Sequence, residues 1–341
     1  MKKLQWLLLI VIGIFSSASL SQFEYPKYFP EPVYDFSKNK LQPDVIQLGR
    51  TLFYDPILSS NDSVSCASCH NPYSAFAHTD HALSHGIHDS IGKRNAPALF
   101  NLAWKNSFMH DGAIHHLDVQ ALAPISSSLE MNENIAHVVE KLKHSDRYVQ
   151  LFKQAFRDSK ITGEHLLKAL AQFQLTLVSC TSRYDSMRQG LLVFSEQEQR
   201  GYRLFKLHCN SCHAEPLFTS SGFINTGLEP DSLRYDYGRV LVSKNPRDSF
   251  CFAIPSLRNI SYTFPYMHDG RYSKLNQVLK FYGRKKEAHA QYDDRIKSIP
   301  EFSSDERVEL NSFLLTLNDL SFVFRKEHQF PKEILLKEIK K

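Results

Sequence analysis

Two pentapeptides, Cys66-Ala67-Ser68-Cys69-His70 and Cys209-Asn210-Ser211-Cys212-His213, constrain this chain more than any other feature. In a C-x-x-C-H pattern the two thiols add across the vinyl groups of a haem, and the adjacent imidazole is delivered beneath the iron. A zinc half-site or a redox C-x-x-C would account for the thiols, but not for a histidine at the same place twice. The pair predicts two covalently bound c-type haems and a fold built to enclose them.

The N-terminus carries Lys2 and Lys3, an apolar run from Leu4 to Phe15 and a small-residue stretch from Ser16 to Ser21. This reads as a secretory signal peptide over residues 1–21, too short to span a bilayer and ending in a small-x-small site at Ser19-Leu20-Ser21. An uncleaved N-terminal anchor is the rival reading. Attachment of c-type haem takes place outside the cytoplasm, so the expected address is the periplasm. About 320 residues would remain, enough for two domains. Hydrophobic residues make up 42% of the chain, which suffices for sizeable cores. No later apolar run approaches membrane length. The formal charge of +5 falls to +3 without the two N-terminal lysines, too little to argue for nucleic acid or an anionic membrane as partner. Cys180 and Cys251 are left over from haem attachment and sit beside Leu177-Val178 and between Phe250 and Phe252. They are expected as buried free thiols, although an oxidising compartment would also permit a disulfide.

An internal repeat surrounds the haem motifs. Leu48-Gly49-Arg50-Thr51-Leu52-Phe53 matches Arg200-Gly201-Tyr202-Arg203-Leu204-Phe205 at an offset of 152. Pro97, Asn101, Met109-His110-Asp111-Gly112 and Leu117 recur as Pro255, Asn259, Met267-His268-Asp269-Gly270 and Leu275 at an offset of 158. Two copies of a unit this long indicate duplicated domains rather than a solenoid. The expected fold is all-α, with two cytochrome c-like haem domains over residues 40–190 and 191–330. Ser195-x-x-Glu198 is a capping box opening a helix into the second motif. Helical spacing runs from Ile135 to Phe156, from Glu164 to Met187 (long enough to bridge the halves) and from Asp305 to Leu317. The polar stretches 71–97 and 219–255 predict long loops wrapped around haem. The Lys/Glu-rich tail after Phe330 predicts a solvated helix or extension.

Taken in order, L-G-R-x-L-F, C-A-S-C-H-N-P, R-N-A-P-A-L-F-N, H-D-G, Q-x-x-x-P-I-x-x-x-x-E-M, the second C-x-x-C-H, P-S-L-R-N-I and P-Y-M-H-D-G resemble the bacterial di-haem cytochrome c peroxidases and their relative MauG, from Leu48 to Leu317. The resemblance implies a peroxide-reacting N-terminal haem with His70 as proximal ligand, and an electron-transfer C-terminal haem on His213. It places Gln120, Pro124 and a catalytic Glu130 on the distal side of the first iron. A carboxylate there can take the first proton of peroxide and return it to the leaving oxygen. Proline cannot ligate iron and so keeps the sixth position open. Without that register, Glu130 would read as a helix-capping acid.

The repeat reaches the second haem independently, since an offset of 158 carries Pro124 onto Tyr282. The resemblance agrees, because many of these peroxidases have Met at that position while MauG and its kin have Tyr. Met267 is the rival ligand, although its recurrence as Met109 suggests packing. A thioether raises a haem potential, whereas a phenolate favours the ferric and higher states.

Two departures from the family pattern stand out. His110 occupies the place of an inter-haem Trp, with the nearest Trp at 104. Ile87 aligns with a displaceable distal His, although His85 and His88 flank it and His78 and His81 lie nearby. The resemblance further implies a calcium ion held through Asn95, Thr263 and Pro265, oxygen ligands suited to that ion. Arg94 and Arg258 are candidate propionate partners.

The leading expectation is a periplasmic peroxidase that reduces hydrogen peroxide to water with electrons from a small c-type cytochrome or cupredoxin. Family members are often homodimers. A MauG-like oxidation of an aromatic or protein substrate is the second reading, and a non-catalytic di-haem electron carrier is a third from another class.

Overall fold

The computed structural model describes residues 23–336 apart from 159, 233–234 and 285–291. The expected signal peptide and the last residues of the tail lie outside the described residues. The protein is mostly helical, as expected. Its helices are α1 (Pro43–Tyr54), α2 (Cys66–Cys69), α3 (Leu117–Gln120), α4 (Leu122–Ser126), α5 (Ile135–Lys143), α6 (Asp146–Phe156), α7 (Gly163–Leu175) and α8 (Arg183–Arg188). They continue as α9 (Glu196–His208), α10 (Val240–Ser243), α11 (Leu275–Gly283), α12 (Asp294–Lys297), α13 (Ser304–Leu315), α14 (Leu320–Val323) and α15 (Lys332–Leu335). The only sheet among the described residues pairs β1 (Phe223–Ile224) with β2 (Phe252–Ala253), antiparallel.

Two helix pairs form the frame, and they meet in the same way. A Cβ on Gly49 of α1 would come 1.9 Å from the carbonyl oxygen of Ala169 in α7. A Cβ on Gly201 of α9 would come equally close, 1.9 Å, to that of Glu309 in α13. Only glycine lets these backbones touch, and Phe173 and Phe313 pack beside the two contacts. Gly201→Ala is expected to push α9 from α13 and cost about 1–3 kcal/mol, the usual range for overpacking. Chemical denaturation of the holoprotein reads this out directly.

Other repeated residues also share their geometry. Asn101 and Asn259 are both left-handed (φ 54° and 56°), as are Met109 and Met267 (φ 68° and 74°). Phe108 bridges to Ile114 as Tyr266 does to Tyr272.

The Ser195–Glu198 capping box forms as expected, with the Ser195 side chain accepting from Glu198 N. Two helices expected to be continuous are broken. The 135–156 stretch stops at His144 and restarts at Asp146. More consequentially, no helix bridges the halves from 164 to 187: α7 ends at Leu175 and α8 begins at Arg183. Residues between them run as a partly buried strap. Ser179 N donates to Asn101 Oδ1 (2.9 Å), while Thr181 N and Thr181 Oγ1 donate to the Asp319 carboxylate (2.9 and 2.7 Å). These tertiary hydrogen bonds replace the helical ladder.

The first core takes in residues from the stretch 191–330 expected to form the C-terminal domain. Phe322 and Val323 belong to the first core, with residues of α1, α6 and α7. The segment that follows stays with them: Arg50 donates to the carbonyls of Lys326 and Gln329, and Tyr54 donates to that of His328. In the opposite direction, Tyr28 from the N-terminal segment donates to Asp185, 2.7 Å away. Cys180 and Cys251 are separate free thiols. Burial pushes each up to about 11.

Candidate haem and peroxide site

Each C-x-x-C-H motif follows from local chain geometry. In the first, Ser65 and Ser68 cap the single turn of α2 reciprocally, which puts Cys66 and Cys69 on one short helix. His70 lies just past its end. Its Nδ1 donates to the carbonyl of Phe76 at 2.9 Å. In the second, α9 runs into Cys209, and His213 Nδ1 faces the carbonyls of Pro255 (3.0 Å) and Phe218 (3.3 Å). A carbonyl can only accept, so Nδ1 carries the proton in both rings and Nε2 is left as the ligating nitrogen. Burial pushes both imidazoles down to about 4, so they stay neutral at physiological pH. The residues present therefore fit two haems bound through histidine. The orienting carbonyls escaped sequence reasoning, because a backbone acceptor leaves no residue signature.

The peroxide-side candidates lie on consecutive elements of the first half. Gln120 ends α3 and Pro124 lies in α4. The chain after α4 folds back on it: Met131 N donates to Pro124 O (3.2 Å), Glu133 N to Ile125 O (2.7 Å) and Glu130 N to Ser127 O (3.0 Å). This hairpin returns Glu130 towards the first motif, close enough that its charge helps raise the pKa of both Cys69 and Cys66. Burial pushes the Glu130 pKa above its usual value. Gln120 Nε2 donates weakly to Met109 Sδ at 3.8 Å.

Gly86 was not singled out from the sequence, yet it seats this hairpin. A Cβ there would meet Leu129 O at 2.2 Å and Glu130 O at 2.5 Å. Ile87 N then donates to Glu130 O (2.8 Å). A glycine within the loop was the only signal available.

Ile87 is buried and carries no ligating atom. Of the neighbouring histidines, His85 pairs through Nδ1 with Asp89 (2.8 Å) and stacks on His81 at 4.3 Å. His78 shares a hydrogen bond with His81 (3.3 Å). His81 and His85 line an open cavity of about 620 Å³ with Asp231, Asp269 and Arg271.

Around the second motif, Tyr282 lies in α11 and packs with Cys212, Ile254 and Ile296. Burial raises its phenol pKa, and the neighbouring Cys212 and Cys209 add to the shift. Met267 sits in a left-handed turn before α11.

His110 lies where the halves meet. Its Nε2 donates to Asn95 O (2.9 Å), and its own carbonyl accepts from Ala253 N (2.7 Å). Burial pushes it down to about 4. Trp104 is directed elsewhere, donating to Pro30 O at 2.7 Å.

For the expected calcium site, Asn95 N donates to His268 O (2.7 Å), which ties it to the 263–268 segment. Asn95 Nδ2 donates to Ala82 O at 2.9 Å, leaving Oδ1 as an acceptor. Among the described residues no three His, Cys, Asp or Glu side chains converge to hold a metal. A cation here would rest on neutral oxygens.

The two arginines expected at haem propionates have protein partners. Arg94 bridges Asp111 (2.7 Å) and Asp236 (2.6 Å) across the halves. Arg258 is 0% exposed and forms a two-pronged pair with Asp185, 2.8 Å on each arm, plus bonds to Pro216 O. Its position is a correction, because that guanidinium is spent on the core carboxylate of Asp185.

Comparison with known proteins agrees with this geometry. Residues 43–191 match the sequence profile described as di-haem cytochrome c peroxidase. The methylamine utilization protein MauG of Methylorubrum extorquens is 35% identical over 313 residues, 88% of this chain and 84% of that protein. The cytochrome c551 peroxidase of Nitrosomonas europaea is 34% identical over 280 residues, 80% of each chain. Among solved structures, a MauG-like protein associated with microbial copper homeostasis superposes with a TM-score of 0.83 at 30% identity, covering 91% of this chain and 99% of that one. The chain belongs to the di-haem cytochrome c peroxidase family.

Proposed function

We propose that this protein is a periplasmic peroxidase with two duplicated haem-binding halves, reducing hydrogen peroxide to water with electrons from a small c-type cytochrome or cupredoxin. The observation that carries the reading is Glu130, a half-buried carboxyl with a raised pKa, folded back onto the first haem motif by the α4 hairpin.

A bound haem supplies the iron that takes up peroxide and accepts its oxidising equivalents. His70 is oriented by Phe76 O through Nδ1, which would leave Nε2 to hold the iron. The Pro124 side chain has no ligating atom, so it would leave the peroxide-binding face of a haem held on His70 open. Glu130 receives the first peroxide proton and returns it to the departing oxygen, with Gln120 orienting the bound molecule. Tyr282 and His213 would hold the second haem, with Met267 as the rival to Tyr282. Asn95, Thr263 and Pro265 are the proposed calcium ligands, and a homodimer is the proposed assembly.

The test is to add peroxide to the fully ferric protein, follow its absorption, and then supply reduced cytochrome c. Rapid turnover is expected. An inert spectrum in both the ferric and half-reduced protein would sink the proposal.

A second reading, MauG-like oxidation of an aromatic or protein substrate, is favoured by Tyr282 beside Cys209 and Cys212. Under it, peroxide produces a long-lived oxidised species that cytochrome c discharges poorly. Replacing Tyr282 with Met is expected to raise the second haem's potential, as thioether ligation does. Met267→Leu should leave it in place. Spectroelectrochemical titration separates the two ligands, and a shift only in the Met267 variant would reverse the assignment.

A further inference from the structure

Behind the second motif lies a phenol–carboxylate group that neither the expected haem ligands nor the peroxide pocket uses. Glu215 accepts from Tyr184 OH at 2.7 Å and from Tyr202 OH at 2.8 Å, both on the same oxygen, Oε1. Lys206 Nζ donates to the other oxygen, Oε2, at 2.8 Å. Tyr184 is fully buried and stands edge-on to Phe218, with ring centres 4.7 Å apart. Phe218 in turn offers its carbonyl to His213 Nδ1. Contacts thus run unbroken from the second haem's histidine through Phe218 to Tyr184, and across one carboxylate oxygen to Tyr202. Tyr202 is half-buried on α9, one turn before the exposed Lys206. In the first half, the repeat puts Arg50 at the place of Tyr202.

A phenol yields an electron far more readily when an acceptor for its proton already waits at hydrogen-bond distance. Glu215 is such an acceptor for both tyrosines. Both phenols point at Oε1 while the Lys206 ammonium holds Oε2, so a single carboxylate lies within proton-transfer distance of the two hydroxyls.

We propose that Tyr184 and Tyr202, sharing Glu215 as proton acceptor, form a one-electron path from the surface to the second haem. The inference rests on the peroxide chemistry proposed above. Hydrogen peroxide takes two electrons and two protons in becoming two waters, and the tyrosine path supplies one of those electrons. The O–H bond of Tyr184 breaks, its electron passes to the peroxide-oxidised haem on His213 and its proton moves to Glu215 Oε1. Tyr202 then reduces the Tyr184 radical: Glu215 returns its proton to Tyr184 and takes the one Tyr202 releases. A one-electron reductant at the Tyr202 face closes the cycle, and Glu215 hands the proton back.

The test adds one equivalent of hydrogen peroxide to the diferric holoprotein and examines rapidly frozen samples by electron paramagnetic resonance, with haem absorption followed in parallel. A tyrosyl signal is expected in the wild type. It should be lost in Tyr184→Phe and Glu215→Gln, and change its hyperfine pattern in the half-exposed Tyr202→Phe. It should persist in Tyr148→Phe, which removes a similar phenol–carboxylate pair (Tyr148 OH to Asp55, 2.7 Å) unconnected to His213. An undiminished signal in both Tyr184→Phe and Glu215→Gln overturns the path. So does the absence of any radical in wild-type protein whose haem absorption responds to peroxide. A haem spectrum that ignores peroxide removes the peroxidase reading and this path together.

Discussion

Replacing Glu130 with Gln is expected to lower peroxide turnover by about 10²–10⁴-fold, the usual contribution of a positioned general acid–base group. The amide is nearly isosteric, so the hairpin contacts should survive; they are made by the backbone atoms of Glu130, Ile87 and Ser127. Both haems should stay attached, because Cys66, Cys69 and His70 are untouched. The wild-type pH profile provides an independent check. Burial raises the Glu130 pKa, and the group must be ionised to accept the first proton. Activity should therefore fall as pH drops through a value above the ordinary glutamate pKa of about 4.3. The acid limb should vanish from the residual activity of the variant. Stopped-flow measurement of the ferric protein with peroxide across pH gives both results. A variant of near-normal rate would remove Glu130 from the chemistry.

The second large effect concerns stability. Asp185→Asn should cost about 3–5 kcal/mol, the usual penalty for leaving one member of a buried ion pair without its partner. Arg258 is enclosed by Phe29 and Phe218, whose rings lie 5.1 and 5.6 Å from the guanidinium carbon, so water cannot replace the lost carboxylate. The same carboxylate accepts from Tyr28 and from Ser182, joining the N-terminal segment to the start of α8. Burial by itself would raise the Asp185 pKa, but Arg258 outweighs it and holds the group below its ordinary value. A depressed carboxylate contributes stability that is complete above the unfolded pKa, about 3.9. That contribution is lost as pH falls further, through the folded value. Denaturant unfolding of both proteins at neutral pH and near pH 3 is the check: the difference between them should shrink in acid.

These two predictions draw on different sources. The role proposed for Glu130 comes from the sequence, through a register with Gln120 and Pro124 that matches a family pattern, and the structure adds the hairpin that brings it to the motif. Arg258 was misread, since a repeated Arg before Asn says nothing about which anion it meets. Its partner lies 73 residues away, and only folding brings them together. The missing helix across 176–182 has the same origin. Apolar periodicity favoured continuation, but Asn101 and Asp319 offered the backbone and hydroxyls of Ser179 and Thr181 better partners than a helical ladder. The C-terminal crossover that sends Phe322 and Val323 into the first core was equally invisible, because an apolar residue does not name the core it will join.

The sequence by itself determined the covalent chemistry: two thiol pairs each followed by histidine, the repeat around them and the family to which they belong. These are local patterns, written in the spacing of a few residues. Only the tertiary structure decided which carbonyls orient His70 and His213, how Gly86 seats the Glu130 hairpin, and that Tyr184 and Tyr202 share one carboxylate oxygen. Such arrangements depend on close approach between segments far apart in the chain, and backbone acceptors and packing contacts leave no mark in the order of residues.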